Sequence, residues 1–177
     1  MTPELQKAFE ETHYIVHDQP PFTLRIGQAC PALDELLQAG GYTGAAFITA
    51  WSPYSQSLSQ EENASRQRAL LIDIQARGLA SLPGIGQHPD NGWPGEESVL
   101  VLGIDLEAAK ALAMKHGQWA FVWAAAAGVP ELVVLPKGPR PPMSPEAREE
   151  GLRRMKAFSD GLKKALASGS LAGRDTP

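Results

Sequence analysis

Short apolar runs alternate with segments of helical periodicity along this chain, and that alternation constrains the fold most. Residues 44–51, GAAFITAW, are too short and too apolar for a surface helix, which favours a buried strand. Similar runs predict strands at 22–26, 98–103, 119–127 and 131–135. The order of strands and helices predicts an α/β or α+β fold in which helices pack on a mixed β-sheet.

Start and stop signals delimit three helices between these strands. Leucines at helical spacing predict the first helix over 31–38, where proline occupies the first turn. Ser59 and Glu62 have the spacing of a capping box, which predicts a helix over 59–77. An aspartate in the N-cap position and a glycine stop predict the third helix over 105–117.

The segment 79–97, LASLPGIGQHPDNGWPGEE, has a different composition. It is rich in Gly and Pro, which predicts the end of a strand followed by a long loop. Loops of that length often carry function, so this segment is also a candidate contributor to a site.

Composition narrows the class of protein. The length of 177 residues suits one domain, and Cys30, the single cysteine, cannot form an internal disulfide. A net charge of −4 without a basic block argues against a nucleic-acid partner. No run approaches the roughly 20 apolar residues that span a bilayer, so we expect no membrane partner and a cytoplasmic location.

The chain is expected to divide near a proline-rich stretch. We predict a single domain over 1–135, a linker over 136–145, a C-terminal helix over 146–167 and a flexible tail over 168–177. The predicted helix has an apolar stripe, which either packs back on the domain or forms a homodimer contact. That stripe consists of Leu152, Met155, Phe158, Leu162 and Leu166.

The polar segment 48–66 is the most informative part of the sequence. It follows a buried strand and enters a helix N-terminus, where free N–H groups and the helix dipole favour a phosphate or carboxylate. Ligands in α/β sheets also bind beyond strand ends. The alternative is that its serines only cap and turn. The candidate ligand-binding residues here are Thr49, Trp51, Ser52, Ser55, Asn63 and Arg66.

Two arginines and one glutamate could form either a pocket for an anionic ligand or an ion pair within the protein. Asn63 and Arg66 are three residues apart, so they share one helix face. Arg66 and Arg25 either grip an anionic ligand or pair with a carboxylate of the protein, for which Glu97 is the favoured partner.

Groups suited to proton transfer or metal binding are few. His88 lies in the long loop near an acid, and either His88 or Glu97 would serve as general base in an enzyme. The four histidines and Cys30 show no metal-ligand spacing, so we expect no metal and no cofactor.

The residues LRIG, AFITAWSPYSQSLSQEENASRQ, EES with LVLG, and HGQWAFVW resemble a mostly bacterial family catalogued as domain of unknown function 3293. The resemblance covers about 14–135, and the family pattern reads ITAWNPxS followed by S, EN and R. This chain departs from the pattern at Ser52, where the family has asparagine. A Gly-Gln pair of the family resembles Gly117 and Gln118. The resemblance implies a shared domain and no particular reaction. The matching positions of the pattern are Thr49, Trp51, Pro53, Ser55, Ser59, Asn63 and Arg66.

Three functions remain open at this point. The first is a domain that binds a small anionic or nucleotide-like ligand through the residues above, with Arg25 and Glu97. The second is an enzyme that uses Glu97 or His88 as its base. The third is a structural or interaction module in which the polar residues form a closed hydrogen-bond network.

Overall fold

The computed structural model describes residues 3–89 and 95–136, which form one seven-stranded sheet with helices on both faces. Every pair of neighbouring strands is antiparallel, and the strand order is β2-β1-β4-β5-β3-β6-β7. The elements in chain order are α1 (Pro3–Glu11), β1 (His13–Val16), β2 (Phe22–Leu24), α2 (Pro31–Gly40), β3 (Gly44–Thr49), α3 (Gln60–Ala76), β4 (Ala80–Gln87), β5 (Glu96–Leu102), α4 (Leu106–Lys115), β6 (Ala120–Ala125) and β7 (Glu131–Val134).

The centre of the sheet is a βαββαβ unit. Helix α3 joins β3 to β4, and β5 lies between those two strands. Helix α4 joins β5 to β6 in the same manner, across β3. This is the split βαβ arrangement, and it confirms the α+β alternative. The sheet expected to be mixed has antiparallel neighbours instead, because each helical crossover skips one strand.

The two faces of the sheet bury two separate apolar clusters. Side chains alternate along β3, so Ala46 and Ile48 pack with α3 and α4, whereas Ala45 and Phe47 pack with α2. Both faces of the central strands are therefore covered. This explains why the segment 44–51 is apolar at almost every position.

The sheet curls around α2. The cluster on the α2 face draws residues from strands at opposite ends of the sheet, including Leu24 of β2 and Val122 of β6. In addition, the backbone N–H of Gly27, after β2, donates a 2.9 Å hydrogen bond to the carbonyl of Pro130, before β7. The two edges thus approach each other, and the α2 side is the concave face.

Residues Ala80–Gln87 form strand β4, whereas the Gly and Pro content of this segment predicted only the end of a strand followed by a long loop. The carbonyl of Pro83 accepts from the N–H of His17 at 2.8 Å, so the nitrogen of Pro83 faces the same side, where β1 is ending. The missing N–H therefore removes no bond to β5. Gly84 is required for close packing, because a Cβ there would lie 2.6 Å from the Ile15 carbonyl oxygen and 2.7 Å from the Phe47 ring.

The other local predictions have clear outcomes. The capping box is confirmed, since the Glu62 N–H donates to the Ser59 hydroxyl at 3.2 Å and the Ser59 N–H donates to the Glu62 carboxylate at 3.0 Å. Asp105 caps α4 as predicted. The sequence did not predict α1 or β1, and the predicted strand at 22–26 ends at Leu24.

Part of the predicted organisation lies outside the described residues. The proline-rich linker beyond Pro136, the helix over 146–167, its dimer contact and the tail over 168–177 all fall there and stay predictions. Among the described helices, none has the length and apolar character needed to cross a bilayer.

The two glycines of β4 should respond oppositely to substitution. We expect Gly84→Ala to destabilise the fold by about 1–3 kcal/mol, because the added methyl overpacks against Phe47 and the Ile15 carbonyl. Gly86→Ala should be neutral or stabilising by up to about 1 kcal/mol, because its Cβ would meet only ordinary contacts at 3.8–4.0 Å. Urea unfolding of both variants measures this, and equal destabilisation would contradict the strand assignment.

Candidate functional site

Two buried amides of α3 hold the backbone that follows β3. The Oε1 atom of Gln67 accepts from the N–H of Ala50 at 3.0 Å, and the Oδ1 atom of Asn63 accepts from the N–H of Ser52 at 3.0 Å. Both side chains are almost fully buried, with exposed fractions of 5% and 3%. Since buried amides are costly without partners, these bonds fix the chain path after the strand.

Arg66 binds the protein's own backbone. Its Nε donates to the carbonyl of Ala50 at 3.1 Å, and its Nη2 donates to the carbonyl of His116 at 3.0 Å. Partial burial lowers the pKa of Arg66, and the nearby Tyr54 opposes that shift. The guanidinium stays charged at neutral pH. Arg66 therefore joins the end of β3 to the end of α4.

The C-terminal end of α4 completes this frame. The side-chain amide of Gln118 donates to the carbonyl of Trp51 at 3.0 Å, and the carbonyl of Gly117 accepts from the N–H of Tyr54 at 2.8 Å. Gly117 has a φ of +74°, and a Cβ there would lie 3.0 Å from both Pro53 and Tyr54. The Gly-Gln pair that resembles the family pattern thus has a structural reason.

We name the set of side chains that hold this loop the loop frame. It also includes Thr49, whose hydroxyl donates to the carbonyl of Glu97 at 2.7 Å and accepts from the N–H of Trp51 at 3.0 Å. The loop frame consists of Thr49, Asn63, Arg66, Gln67 and Gln118.

The loop held by this frame has an unusual backbone. Ser52, Tyr54 and Ser55 have φ values of 46°, 53° and 59°, in the left-handed region that L-residues rarely adopt. Each such residue costs about 1–2 kcal/mol unless its surroundings favour the conformation. The frame supplies those surroundings, and strain of this kind clusters at functional sites.

A cavity of about 290 Å³ lies on the concave face, beside this loop and at the end of β3. Its volume is near the lower end of the range typical of small-molecule sites. The lining residues are Leu5, Ala8, Phe9, Thr12, Tyr14, Phe47, Thr49, Trp51, Ser52, Tyr54, Ser55, Gly86, His88, Glu96, Ser98, Gln118, Trp119, Phe121, Val122 and Leu132.

Helix α1 forms one wall of the cavity. Leu5, Ala8 and Phe9 have helical spacing, line the cavity and are each half-buried. The hydroxyl of Tyr14 donates to the carbonyl of Phe9 at 2.7 Å, which ties the end of α1 to β1.

Polar groups in the cavity come from the strand ends. The hydroxyl of Ser98 donates to the carbonyl of Glu96 at 2.9 Å. Burial raises the pKa of Tyr14 well above its usual value, and the charge of Glu96 contributes in the same direction. The Nε2 atom of His88 lies 3.3 Å from a carboxylate oxygen of Glu11. Within residues 3–89 and 95–136, no three His, Cys, Asp or Glu side chains form a potential metal cluster.

The predicted site residues separate into three groups. Thr49, Trp51, Ser52 and Ser55 line the cavity, and Thr49 belongs to the loop frame as well. Asn63 and Arg66 belong to the loop frame and do not line the cavity. The remaining two, Arg25 and Glu97, lie outside both the cavity lining and the frame.

The predicted meeting of Arg25, Arg66 and Glu97 does not occur in the described part of the chain, where no ion pair joins any two of them. Arg25 follows β2 at the edge of the sheet. Glu97 is exposed, and it alternates in β5 with Glu96 and Ser98, which line the cavity.

Sequence reasoning missed most of the aromatic lining and chose Glu97 instead of its neighbour Glu96, which lines the cavity. The alternation of β5 carried a usable signal, because Glu96 and Ser98 must share one face and Glu97 the other. No local signal identified the aromatic residues, since Phe9, Tyr14 and Phe47 come from three elements that meet only in the fold.

Comparison with known proteins supports the resemblance and adds no activity. A family model described as "Protein of unknown function (DUF3293)" matches residues 48–121, which confirms the predicted similarity over that range. No curated protein and no solved structure matches the chain. The matched range runs from the end of β3 to the start of β6 and contains the whole loop frame.

Ser52 has a left-handed conformation, which asparagine and glycine tolerate better than serine. We expect Ser52→Asn and Ser52→Gly to stabilise the fold by about 0.5–1 kcal/mol. Ser52→Ala should not, because alanine keeps the penalty of the left-handed conformation. Urea midpoints of the three variants test this, and a gain from Ser52→Ala equal to that from Ser52→Gly would refute the explanation.

His116, whose carbonyl accepts from Arg66 of the loop frame, makes the stability of this region depend on pH. Its Nε2 atom lies 2.7 Å from Asp73, which also accepts from Lys115 at 2.7 Å, and its ring is buried. Burial lowers the pKa of His116 below its usual value, although Asp73 opposes the shift. The contacts with Lys115 and His116 lower the pKa of Asp73.

Stability should therefore fall on mild acidification. Because the folded pKa of His116 is below the unfolded value, near 6.5, its neutral form stabilises the fold above that pH. This contribution is lost as pH falls through the folded pKa. Asp73, with its pKa lowered from an ordinary value near 4, acts only at lower pH. Urea unfolding at pH 7.5 and 5.5 should show a larger loss for the natural chain than for His116→Gln, and equal losses would contradict this assignment.

Proposed function

We propose that this chain is a small-molecule-binding domain whose ligand occupies the cavity at the end of β3. The observation that carries the proposal is the cavity itself, of about 290 Å³, lined by aromatic side chains together with a few polar groups. An apolar pocket with a few convergent polar groups is the usual form of a ligand site.

The position of the cavity supports the same proposal. It lies beside a loop that has three strained residues and is held by a dedicated set of hydrogen bonds. A rigid support that holds strained lining residues is the arrangement expected of a preorganised site. Ser52, Tyr54 and Ser55 are the strained residues, and all three line the cavity.

The ligand-binding hypothesis changes in one respect. An anionic or nucleotide-like ligand was expected to be gripped by Arg25 and Arg66. Arg66 instead uses its guanidinium on two backbone carbonyls, and Arg25 does not line the cavity. Binding at this cavity would instead depend on apolar contact and on the polar groups of β1 and β5, represented by Tyr14, Glu96 and Ser98.

The enzyme hypothesis depends on His88. Glu97 does not line the cavity, whereas His88 does and lies 3.3 Å from Glu11. A general base must come within about 3 Å of the proton that it removes. His88 is therefore the residue through which a catalytic role would act.

The structural-module hypothesis accounts for the loop frame and leaves the cavity unexplained. Asn63, Arg66 and Gln67 bind backbone groups of the same chain, as that hypothesis expects. A purely structural module has no need of a pocket lined by aromatic and polar side chains, which is the usual form of a ligand site.

Gly86 offers a direct test by steric plugging. It lines the cavity, and a Cβ there meets no atom closer than 3.8 Å, so Gly86→Leu should fold and occupy the ligand's space. A thermal-shift screen of the natural chain should identify a stabilising molecule. At about 100 times its Kd, that molecule should raise Tm by about 5–10 °C. Gly86→Leu should lose at least nine-tenths of that shift.

Two controls make the result interpretable. Gly86→Ala changes the same backbone position and should retain most of the shift. Calorimetry on the natural chain and on Gly86→Leu then compares the dissociation constants directly. A screen without any stabilising molecule, or a hit bound equally well by Gly86→Leu, would contradict the proposal.

A further inference from the structure

Aromatic rings dominate the cavity. Residues 3–89 and 95–136 contain ten Trp, Tyr and Phe residues, and seven of these rings line this one space. Tyr14 and Phe47 are packed edge to face, with ring centroids 5.5 Å apart and planes at 73°. The seven residues are Phe9, Tyr14, Phe47, Trp51, Tyr54, Trp119 and Phe121.

One carboxylate lies in the described part of the cavity lining. None of the described lining residues is a Lys or Arg, whereas Glu96 contributes a carboxylate. The charge of Glu96 helps to raise the pKa of the Tyr14 phenol, so its negative field reaches that wall. The other ionisable lining group, His88, lies against the carboxylate of Glu11.

We infer that the ligand is an organic cation whose ammonium group lies against the aromatic walls and faces Glu96. This inference rests on the proposed function and identifies the chemical class of its ligand. Aromatic faces attract ammonium groups through their quadrupole, and sets of such rings recognise quaternary ammonium ligands. A carboxylate at the same site adds direct charge complementarity.

The alternative charges fit this space less well. An anion would lose its hydration and meet the field of Glu96 without an arginine or lysine in the described lining. A neutral molecule could make the same apolar contacts but would gain nothing from the charge of Glu96. The volume, about that of ten water molecules at roughly 30 Å³ each, suits an aromatic ring joined to a small ammonium group.

Three probes of similar shape separate these cases. Benzyltrimethylammonium is the cation, neopentylbenzene replaces its nitrogen by carbon, and phenylacetate supplies the anion. We expect calorimetry to show the cation binding at least ten-fold tighter than either of the others. Glu96→Gln should weaken cation binding by about ten-fold and leave binding of neopentylbenzene unchanged.

Glu97→Gln is the matched control. It removes the same charge from the neighbouring exposed residue, which does not line the cavity, so cation binding should change less than two-fold. Urea unfolding of both variants checks that they fold. Equal effects of the two substitutions would show a general charge effect and overturn the inference.

The remaining outcomes separate this inference from the proposed function. If neopentylbenzene or phenylacetate binds as tightly as the cation, and Gly86→Leu abolishes that binding, the cation inference fails and the cavity remains a ligand site. The inference also fails if Gly86→Leu binds the cation normally. If none of the three probes binds while the screen finds another ligand, the cation class is wrong. If neither the probes nor the screen yields a ligand, both proposals fail.

Discussion

The structure of the site depends on the hydrogen bonds that α3 makes to the backbone leaving β3. Gln67 binds the N–H of Ala50 and Arg66 binds its carbonyl, so both polar groups of that residue are satisfied inside the protein. Asn63 does the same for the N–H of Ser52. The left-handed residues that follow would favour other conformations in isolation, and these bonds select the observed one.

The same bonds connect the two crossover helices to the cavity wall. Arg66 reaches the carbonyl of His116 at the end of α4, and Gln118 returns to the carbonyl of Trp51. The loop is thus held from both helices, and its other side lines the cavity. The family match over 48–121 contains this support, whereas α1 and β1, which supply Phe9 and Tyr14, precede it. Proteins that share only the matched segment would keep the support and differ in part of the lining.

The sequence predicted those elements that depend on contacts between residues close together in the chain. The capping box at Ser59 and the cap at Asp105 depend on residues three apart, so the starts of α3 and α4 were readable from sequence. Strand β4 was not, because its Gly84 is explained by the Phe47 ring and by a carbonyl of β1, which the sequence does not place there. The partner of Arg66 was unpredictable for the same reason, since backbone carbonyls leave no mark in the sequence.

The polar segment 48–66 contains residues that bind the protein's own backbone and residues that line the cavity. The sequence alone could not separate these two groups. Polar groups next to a strand end are typical of a ligand site, but here Asn63 and Arg66 of α3 bind backbone groups of the protein. Thr49 and Trp51 belong to both groups, because they line the cavity while their hydrogen bonds fix the loop after β3. Substitutions in the loop frame should therefore disturb stability and cavity shape together. Glu96 and Gly86 line the cavity and lie outside the loop frame, so changes at these two residues test the cavity more directly.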